Sequence, residues 1–355
     1  MCHGPDGEEK DSLRLDSFAE ATRENEGRRA IHPDALEKSG ILLRVHDAEE
    51  PMPPKDAEKQ LTAVERDLLS RWVRQGGKYA SHWAFVPPVK NKPAGAGDLP
   101  DDEAIDSFIG ARLKKDKVAF APKADPSVLA RRAALVLTGL PPEPKQLAAF
   151  LKDTREDAYE RFVDQLLASP RFGEHQARYW LDAVRYGDTH GLHLDNRRGI
   201  YPYRDWVVSA LNRNLPLNDF ITWQLAGDLT PDPTLEQLAA TGFVRMNPST
   251  SEGGAIAAEF QAKNNFDRVE TVGVVFLGMT LTCARCHTHK YDPSPQTEYY
   301  RLMAFFNSTA ERSMDGNKYD YAPVIKAPAG VSGWNAWNKL EAERGKLLTE
   351  AAARL

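Results

Sequence analysis

From about residue 102 to residue 307 the sequence has an almost entirely helical pattern of apolar residues, and strand-like alternation is nearly absent. Proline and glycine divide this stretch into segments, because proline cannot continue a helix. We predict helices near residues 103–114, 127–138, 144–152, 156–168, 174–187, 203–213, 218–227, 234–242, 258–282 and 296–307. The sequence therefore predicts an all-α fold, whose larger domain is helical and irregular with long loops.

The residues before this stretch form a smaller unit of their own. Thr62, with Glu65 three residues later, predicts a capped helix that ends at Gly76 and Gly77. A segment rich in proline, glycine and alanine follows at 83–100, which is typical of an extended linker. We therefore predict a small domain at 1–80, a linker at 81–102, the helical domain at 103–312, and at 313–355 a second linker and the start of a truncated charged helix.

Composition excludes several classes of protein. The 355 residues are 41% hydrophobic and 27% charged, with a formal net charge of −5, which is ordinary for a globular protein. Basic and acidic residues are interspersed, so no nucleic-acid partner is predicted. The longest apolar run, 272–279, is far shorter than the roughly 20 residues that span a bilayer. No signal peptide opens the sequence, which taken literally would predict a cytoplasmic protein.

Two of the three cysteines lie in the motif Cys283-Ala-Arg-Cys286-His287. Such a motif attaches haem c: the two thiols form thioethers with the vinyl groups, and the histidine ligates the iron. Three other interpretations remain open. They are a thioredoxin-like redox pair, a zinc site that also uses His289, and a chance pair of buried cysteines. We predict covalent haem attachment at Cys283, Cys286 and His287.

The surroundings of this motif suggest further contacts. Val272, Val275, Phe276 and Met279 precede it and predict an apolar face that packs against the porphyrin edge. We expect His289 to hydrogen-bond either a haem propionate or its own loop, residues 289–293.

The ligand on the opposite side of this iron is less constrained by the sequence. His190 and His193 are the better candidates, and Met246 and Met279 are weaker ones. An open iron position is the other possibility, and it would give His190 a catalytic rather than a ligating role.

The N-terminus contains what looks like half of a second haem motif. Cys2-His3 would complete another Cys-x-x-Cys-His whose first cysteine would lie upstream of Met1, so we expect that the chain starts too late. Met52 follows in a proline-rich loop, in the order seen in small cytochromes c, where histidine and methionine ligate opposite faces of the haem. We predict that Cys2, His3 and Met52 form a truncated second site.

Taken together, these motifs resemble those of planctomycete-type cytochrome c proteins, in which a small cytochrome c domain precedes a helical domain of unknown function with a second haem motif. The matching stretches run through most of the chain. They are Cys2-His-Gly-Pro, Leu13-Arg-Leu-Asp, Met52-Pro-Pro, Trp72, His82-Trp-Ala-Phe-Val-Pro-Pro, Leu137-Thr-Gly-Leu-Pro-Pro, Ser169-Pro-Arg-Phe-Gly-Glu, Tyr203-Arg-Asp-Trp, Gln224-Leu-Ala-Gly-Asp, Glu252-Gly-Gly and Cys283-Ala-Arg-Cys-His-Thr-His-Lys-Tyr-Asp-Pro. The resemblance implies a periplasmic or exported location, haem attachment by the export-side maturation machinery and an adjoining C-terminal domain.

The sequence-based interpretation is therefore an exported c-type cytochrome that transfers electrons, with one intact haem c site and one truncated site. Its partner would be a redox protein or the adjoining domain of a larger oxidoreductase. Two alternatives stay open. One is a haem enzyme with an open iron position, using polar residues such as Asp188, His190, Glu252 and Asp292; the other is an interaction domain stapled by a metal.

Overall fold

A computed structural model describes residues 3–4, 13–81, 83–89, 100–192 and 194–354. Cys2 and His193 lie outside these ranges, so the predictions made for them do too. Fourteen α-helices occupy the described part of the chain, which contains isolated bridges but no strand. The all-α prediction is confirmed.

The helices are numbered in chain order. They are α1 (Phe18–Thr22), α2 (Gly40–Val45), α3 (Ala63–Arg74), α4 (Asp101–Asp116), α5 (Pro126–Thr138), α6 (Pro144–Lys152), α7 (Ala158–Leu167), α8 (Pro170–Ala183), α9 (Tyr201–Asn212), α10 (Leu217–Ala226), α11 (Leu235–Ala240), α12 (Ala257–Val272), α13 (Gln296–Phe306) and α14 (Gly330–Ala352). Short 3₁₀ turns lie at Leu36–Lys38, Trp83–Phe85, Gly227–Leu229, Thr241–Arg245 and Thr282–Arg285.

Two of the predicted helices have different boundaries in the structure. Helix α8 begins at Pro170, four residues earlier than predicted, because proline suits a first helical position and the Ser169 side chain accepts a hydrogen bond from the Arg171 N–H. The helix predicted for 258–282 ends as an α-helix at Val272 and continues only as a π-helical turn, Gly273–Leu277.

The chain divides into two compact units. One comprises Met1–Lys92 with Cys286–Gln296, and the other comprises Pro93–Arg285 with Thr297–Leu355. The first unit contains α1 to α3 around a small core of Ala21, Ala30 and Ile31. As predicted, Thr62 and Glu65 form a capping box at the start of α3.

The second unit has the larger core. Helices α8 and α9 pack together, and α14 lies against α9. Trp206 and Trp334 are fully buried, and the Trp206 ring stacks on Phe220 at a centroid distance of 5.2 Å. Helices α5 to α7 enclose a satellite core that includes Phe162. Among the described residues, no helix is long and apolar enough to cross a lipid bilayer.

Candidate haem sites

Two glycines determine how the chain leaves α12 and reaches the Cys283 motif. A Cβ on Gly273 would lie 2.7 Å from Leu281 Cγ, so the absence of a side chain there lets the returning chain approach the helix. Gly278 ends the π-helical turn with φ of 63°, a left-handed conformation that favours glycine. The first cysteine then lies on the 3₁₀ turn Thr282–Arg285 rather than on a continuous helix.

Both motif cysteines are free thiols with exposed side chains. His287 is exposed too, and its Nδ1 lies 2.9 Å from the carbonyl oxygen of Thr288. Because a carbonyl oxygen only accepts hydrogen bonds, Nδ1 carries the proton, and in the neutral ring Nε2 keeps its lone pair. No described residue bonds Nε2 of His287.

His289 has a different environment from His287. Its Nδ1 accepts hydrogen bonds from the N–H groups of Tyr291 at 3.3 Å and Asp292 at 2.8 Å. An acceptor nitrogen is unprotonated, so the Nε2 of the neutral ring carries the hydrogen. His289 therefore stabilises its own loop, one of the two roles expected from the sequence.

The apolar face predicted ahead of the motif packs into the protein core instead. Phe276 lies between Trp180 and Phe243, at centroid distances of 5.8 and 5.0 Å. Within the same turn Val274 and Leu277 are the exposed apolar residues. Val272 is buried in the same core, and Val275 and Met279 pack against it.

At the N-terminal half-site, His3 adopts the same arrangement as His287. Its Nδ1 lies 2.7 Å from the carbonyl oxygen of Leu13, and its own carbonyl accepts a hydrogen bond from the Leu15 N–H at 2.9 Å. The neutral ring therefore carries its proton on Nδ1 and keeps the lone pair of Nε2. Met52 is half-buried, and its N–H donates to the Arg44 carbonyl at 2.9 Å.

His190 is buried, and protein atoms face both of its ring nitrogens. Nε2 donates to the carbonyl of Lys318 at 3.0 Å, and Nδ1 lies 3.3 Å from the Asp315 carboxylate. Only 2% of the residue is exposed. Both ring nitrogens of His190 therefore face protein groups. Met246 is likewise buried in the core of the second unit.

A cavity of about 270 Å³ lies in the second unit, where its walls include Arg198, Arg245 and Tyr321. The polar residues considered for an enzyme do not line this cavity. Asp188, one of the suggested catalytic carboxylates, instead accepts a hydrogen bond from the Tyr186 hydroxyl at 2.6 Å. Burial and this carboxylate both raise the pKa of Tyr186.

Sequence reasoning missed one residue that contributes to the His3 environment. Tyr79 donates from its hydroxyl to the Leu15 carbonyl at 2.9 Å, across 64 residues of sequence. The available signal was a lone tyrosine just after the Gly76-Gly77 helix end, where the chain turns back.

The residues of the Cys283 motif fit the group that the sequence predicts. Two exposed thiols precede an exposed imidazole whose Nε2 is free to donate electrons, which is the donor set of a c-type haem. The described residues contain no group of three or more His, Cys, Asp or Glu side chains that could hold a bare metal ion.

Comparison with known families supports this interpretation of the motifs. A family model described as protein of unknown function (DUF1549) matches residues 104–311, more than half of the chain. The chain belongs to the DUF1549 family. A second model, described as planctomycete cytochrome C, matches residues 1–56 of this DUF1549 protein. The two matches confirm the resemblance inferred from the sequence. No curated protein and no solved structure matched the chain.

The two matched regions contain the two candidate haem sites. The DUF1549 match spans Cys283, Cys286 and His287, and the cytochrome match spans His3 and Met52. The cytochrome match indicates a c-type cytochrome segment at the N-terminus of this DUF1549 protein.

Proposed function

We propose that this protein is an exported c-type cytochrome that binds haem covalently and transfers electrons. One haem would be attached through Cys283 and Cys286, with His287 as the proximal ligand. A second would be held by Cys2 and His3, with Met52 on the opposite face. The electron-transfer partner would be a redox protein or an adjoining domain of a larger oxidoreductase.

The observation that carries this proposal is the hydrogen-bonding pattern that the rings of His287 and His3 share. Each directs Nδ1 at a backbone carbonyl, at 2.9 and 2.7 Å, and leaves Nε2 available. A hydrogen bond from Nδ1 to a carbonyl fixes the ring and makes the ligating nitrogen more basic, which is how metal-binding histidines are usually held.

Covalent attachment needs no further reactant at Cys283 and Cys286. Each S–H would add across one vinyl double bond, so that a sulfur–carbon bond forms and the thiol hydrogen passes to the other vinyl carbon. Haem supplies a one-electron redox centre when it is bound. The chain would then hold the haem through two thioethers, and His287 Nε2 would donate its lone pair to the iron.

The proposal is tested by producing the chain with an export signal in a bacterium that matures c-type cytochromes. We expect haem to remain after acid–acetone extraction, and mass spectrometry to find it on the peptide containing residues 283–287. In a Cys283→Ala, Cys286→Ala variant that peptide should carry none, whereas Cys2→Ala should leave it modified. Loss of all haem from the unaltered protein on extraction would refute covalent attachment.

One observation favours the alternative of a haem enzyme. Both ring nitrogens of His190, one of the two histidines predicted as the ligand opposite His287, face protein atoms. Carbon monoxide separates the two functions, because it binds reduced haem only where one axial position is open. Rapid binding would favour small-molecule chemistry, and no binding would favour electron transfer.

A further inference from the structure

We propose that Tyr79 is a positioning residue for His3, acting through the backbone of residues 13–15. The inference rests on the proposed function only for the identity of the group that His3 binds. The hydrogen bonds that connect Tyr79 to His3 do not depend on which group His3 binds.

Three hydrogen bonds connect the Tyr79 hydroxyl to the His3 ring. Tyr79 donates to the carbonyl of Leu15 at 2.9 Å. The N–H of Leu15 donates to the His3 carbonyl at 2.9 Å, and Nδ1 of His3 donates to the Leu13 carbonyl at 2.7 Å. The segment that bonds His3 at two atoms is thus itself bonded by the Tyr79 phenol, 64 residues later in the sequence than Leu15.

Packing fixes both ends of this connection. The Tyr79 ring makes edge contacts with Trp72 at 5.3 Å and with Phe18 at 6.4 Å between centroids. Leu13 and Leu15 pack against the core of the first unit. The phenol therefore has little conformational freedom, and its hydrogen bond to Leu15 fixes the position of residues 13–15.

Tyr79 also remains a donor over the physiological pH range. Burial, and secondarily the negative charge of Asp16, raise its pKa above the ordinary value for tyrosine. Since the Leu15 carbonyl can only accept, ionisation of the phenol would break the bond. An elevated pKa keeps the bond intact.

The consequence for His3 concerns its proton and its orientation. The Nδ1–H to carbonyl bond selects the tautomer whose Nε2 lone pair is free, and the Leu13 carbonyl raises the basicity of that nitrogen. If residues 13–15 loosen, the Leu13 carbonyl moves away from Nδ1. The neutral ring then exchanges between two tautomers, only one of which presents Nε2 as a ligand.

The test compares Tyr79→Phe with Thr62→Ala in the full chain without haem, at about pH 8.5, where imidazoles are ordinarily neutral. Thr62 caps α3 and touches neither His3 nor Tyr79, so its loss destabilises the same unit by another route. Nitrogen-15 NMR of the imidazoles, with the His3 signals assigned through His3→Gln, reports the tautomer. Amide hydrogen exchange at Leu15 reports the backbone.

We expect Tyr79→Phe to convert His3 from the Nδ1–H tautomer to a mixture and to speed Leu15 exchange roughly fivefold to tenfold. Thr62→Ala should leave the His3 tautomer unchanged. Unchanged His3 signals in Tyr79→Phe, or an equal change in Thr62→Ala, would overturn the proposal.

A second measurement separates this inference from the proposed function. In haem-loaded protein, Tyr79→Phe should shift the midpoint potential of the haem held by His3, and Thr62→Ala should not. Failure of the unaltered protein to bind haem would contradict the proposed function alone, because the tautomer measurement does not use haem.

Discussion

Arg268 and Glu311 form an ion pair in which the arginine side chain is 2% exposed and the glutamate side chain 7%. The other Glu311 oxygen lies 3.0 Å from Nε of Arg245. Nη1 of Arg268 also donates to the Thr309 hydroxyl at 3.1 Å. One carboxylate thus faces two guanidinium groups, and it fastens the segment after α13 to α12.

Glu311→Gln should therefore destabilise the second unit strongly. Removing one partner of a buried ion pair leaves an uncompensated charge, which costs about 3–5 kcal/mol. The free energy of unfolding in urea, followed by fluorescence of the buried tryptophans, measures the loss. Glu298→Gln is the matched control, because Glu298 and Arg301 pair on the surface, where such pairs are worth less than about 1 kcal/mol. Equal losses of unfolding free energy in the two variants would mean that burial does not determine how much the Arg268–Glu311 pair contributes to stability.

Two glycines in helical turns should respond in opposite directions to alanine. At Gly273 a Cβ would meet Leu281 Cγ at 2.7 Å and the Met279 carbonyl at 3.0 Å, so Gly273→Ala should cost about 1–3 kcal/mol. At Gly345, inside α14, a Cβ would meet nothing within 4 Å, so Gly345→Ala should gain about 0.5–1 kcal/mol. Thermal unfolding measures both changes. A loss at Gly345 would show that something other than helix propensity operates there.

The helical architecture could be predicted from the sequence because its signals are local. Thr62 and Glu65 lie three residues apart and cap α3 as expected. The Cys283 motif was recognisable for a similar reason, since attachment chemistry requires a fixed spacing of residue types.

What the sequence did not reveal depends on contacts between distant residues. Helix α12 buries Asn264, Asn265 and Arg268. From the sequence alone such polar residues predict a solvent-exposed helix face, because their partners are not adjacent in the chain. Asn264 pairs with Asn247, 17 residues away. The Tyr79 bond to Leu15 spans 64 residues, so the place of Tyr79 just after α3 did not indicate its partner.

Three tyrosines of the second unit make its stability sensitive to alkali. Burial raises the pKa of Tyr186, Tyr203 and Tyr299, and nearby carboxylates add to the effect at Tyr186 and Tyr299. Unfolded tyrosines ionise near pH 10, so above about that pH the folded state binds more protons than the unfolded state and the free energy of unfolding falls. Below about pH 10 the stability that depends on these neutral tyrosines is fully present.

A spectrophotometric titration of phenolate checks this expectation. Of the eleven tyrosines, these three should ionise only together with the loss of helical circular dichroism. Ionisation of every tyrosine before any loss of helix would contradict it.

His287 and His289 should separate ligation from loop stability when each is replaced by alanine. His287→Ala keeps both cysteines, so haem should stay attached while the absorption spectrum loses the signature of the histidine ligand, and added imidazole should restore it. His289→Ala removes the acceptor for the Tyr291 and Asp292 N–H groups. Amide exchange at those two residues should accelerate roughly fivefold to tenfold while the haem spectrum is retained. If the spectrum instead changed in His289→Ala and not in His287→Ala, the proximal ligand would be His289, and the free Nε2 of His287 would have no role in iron binding.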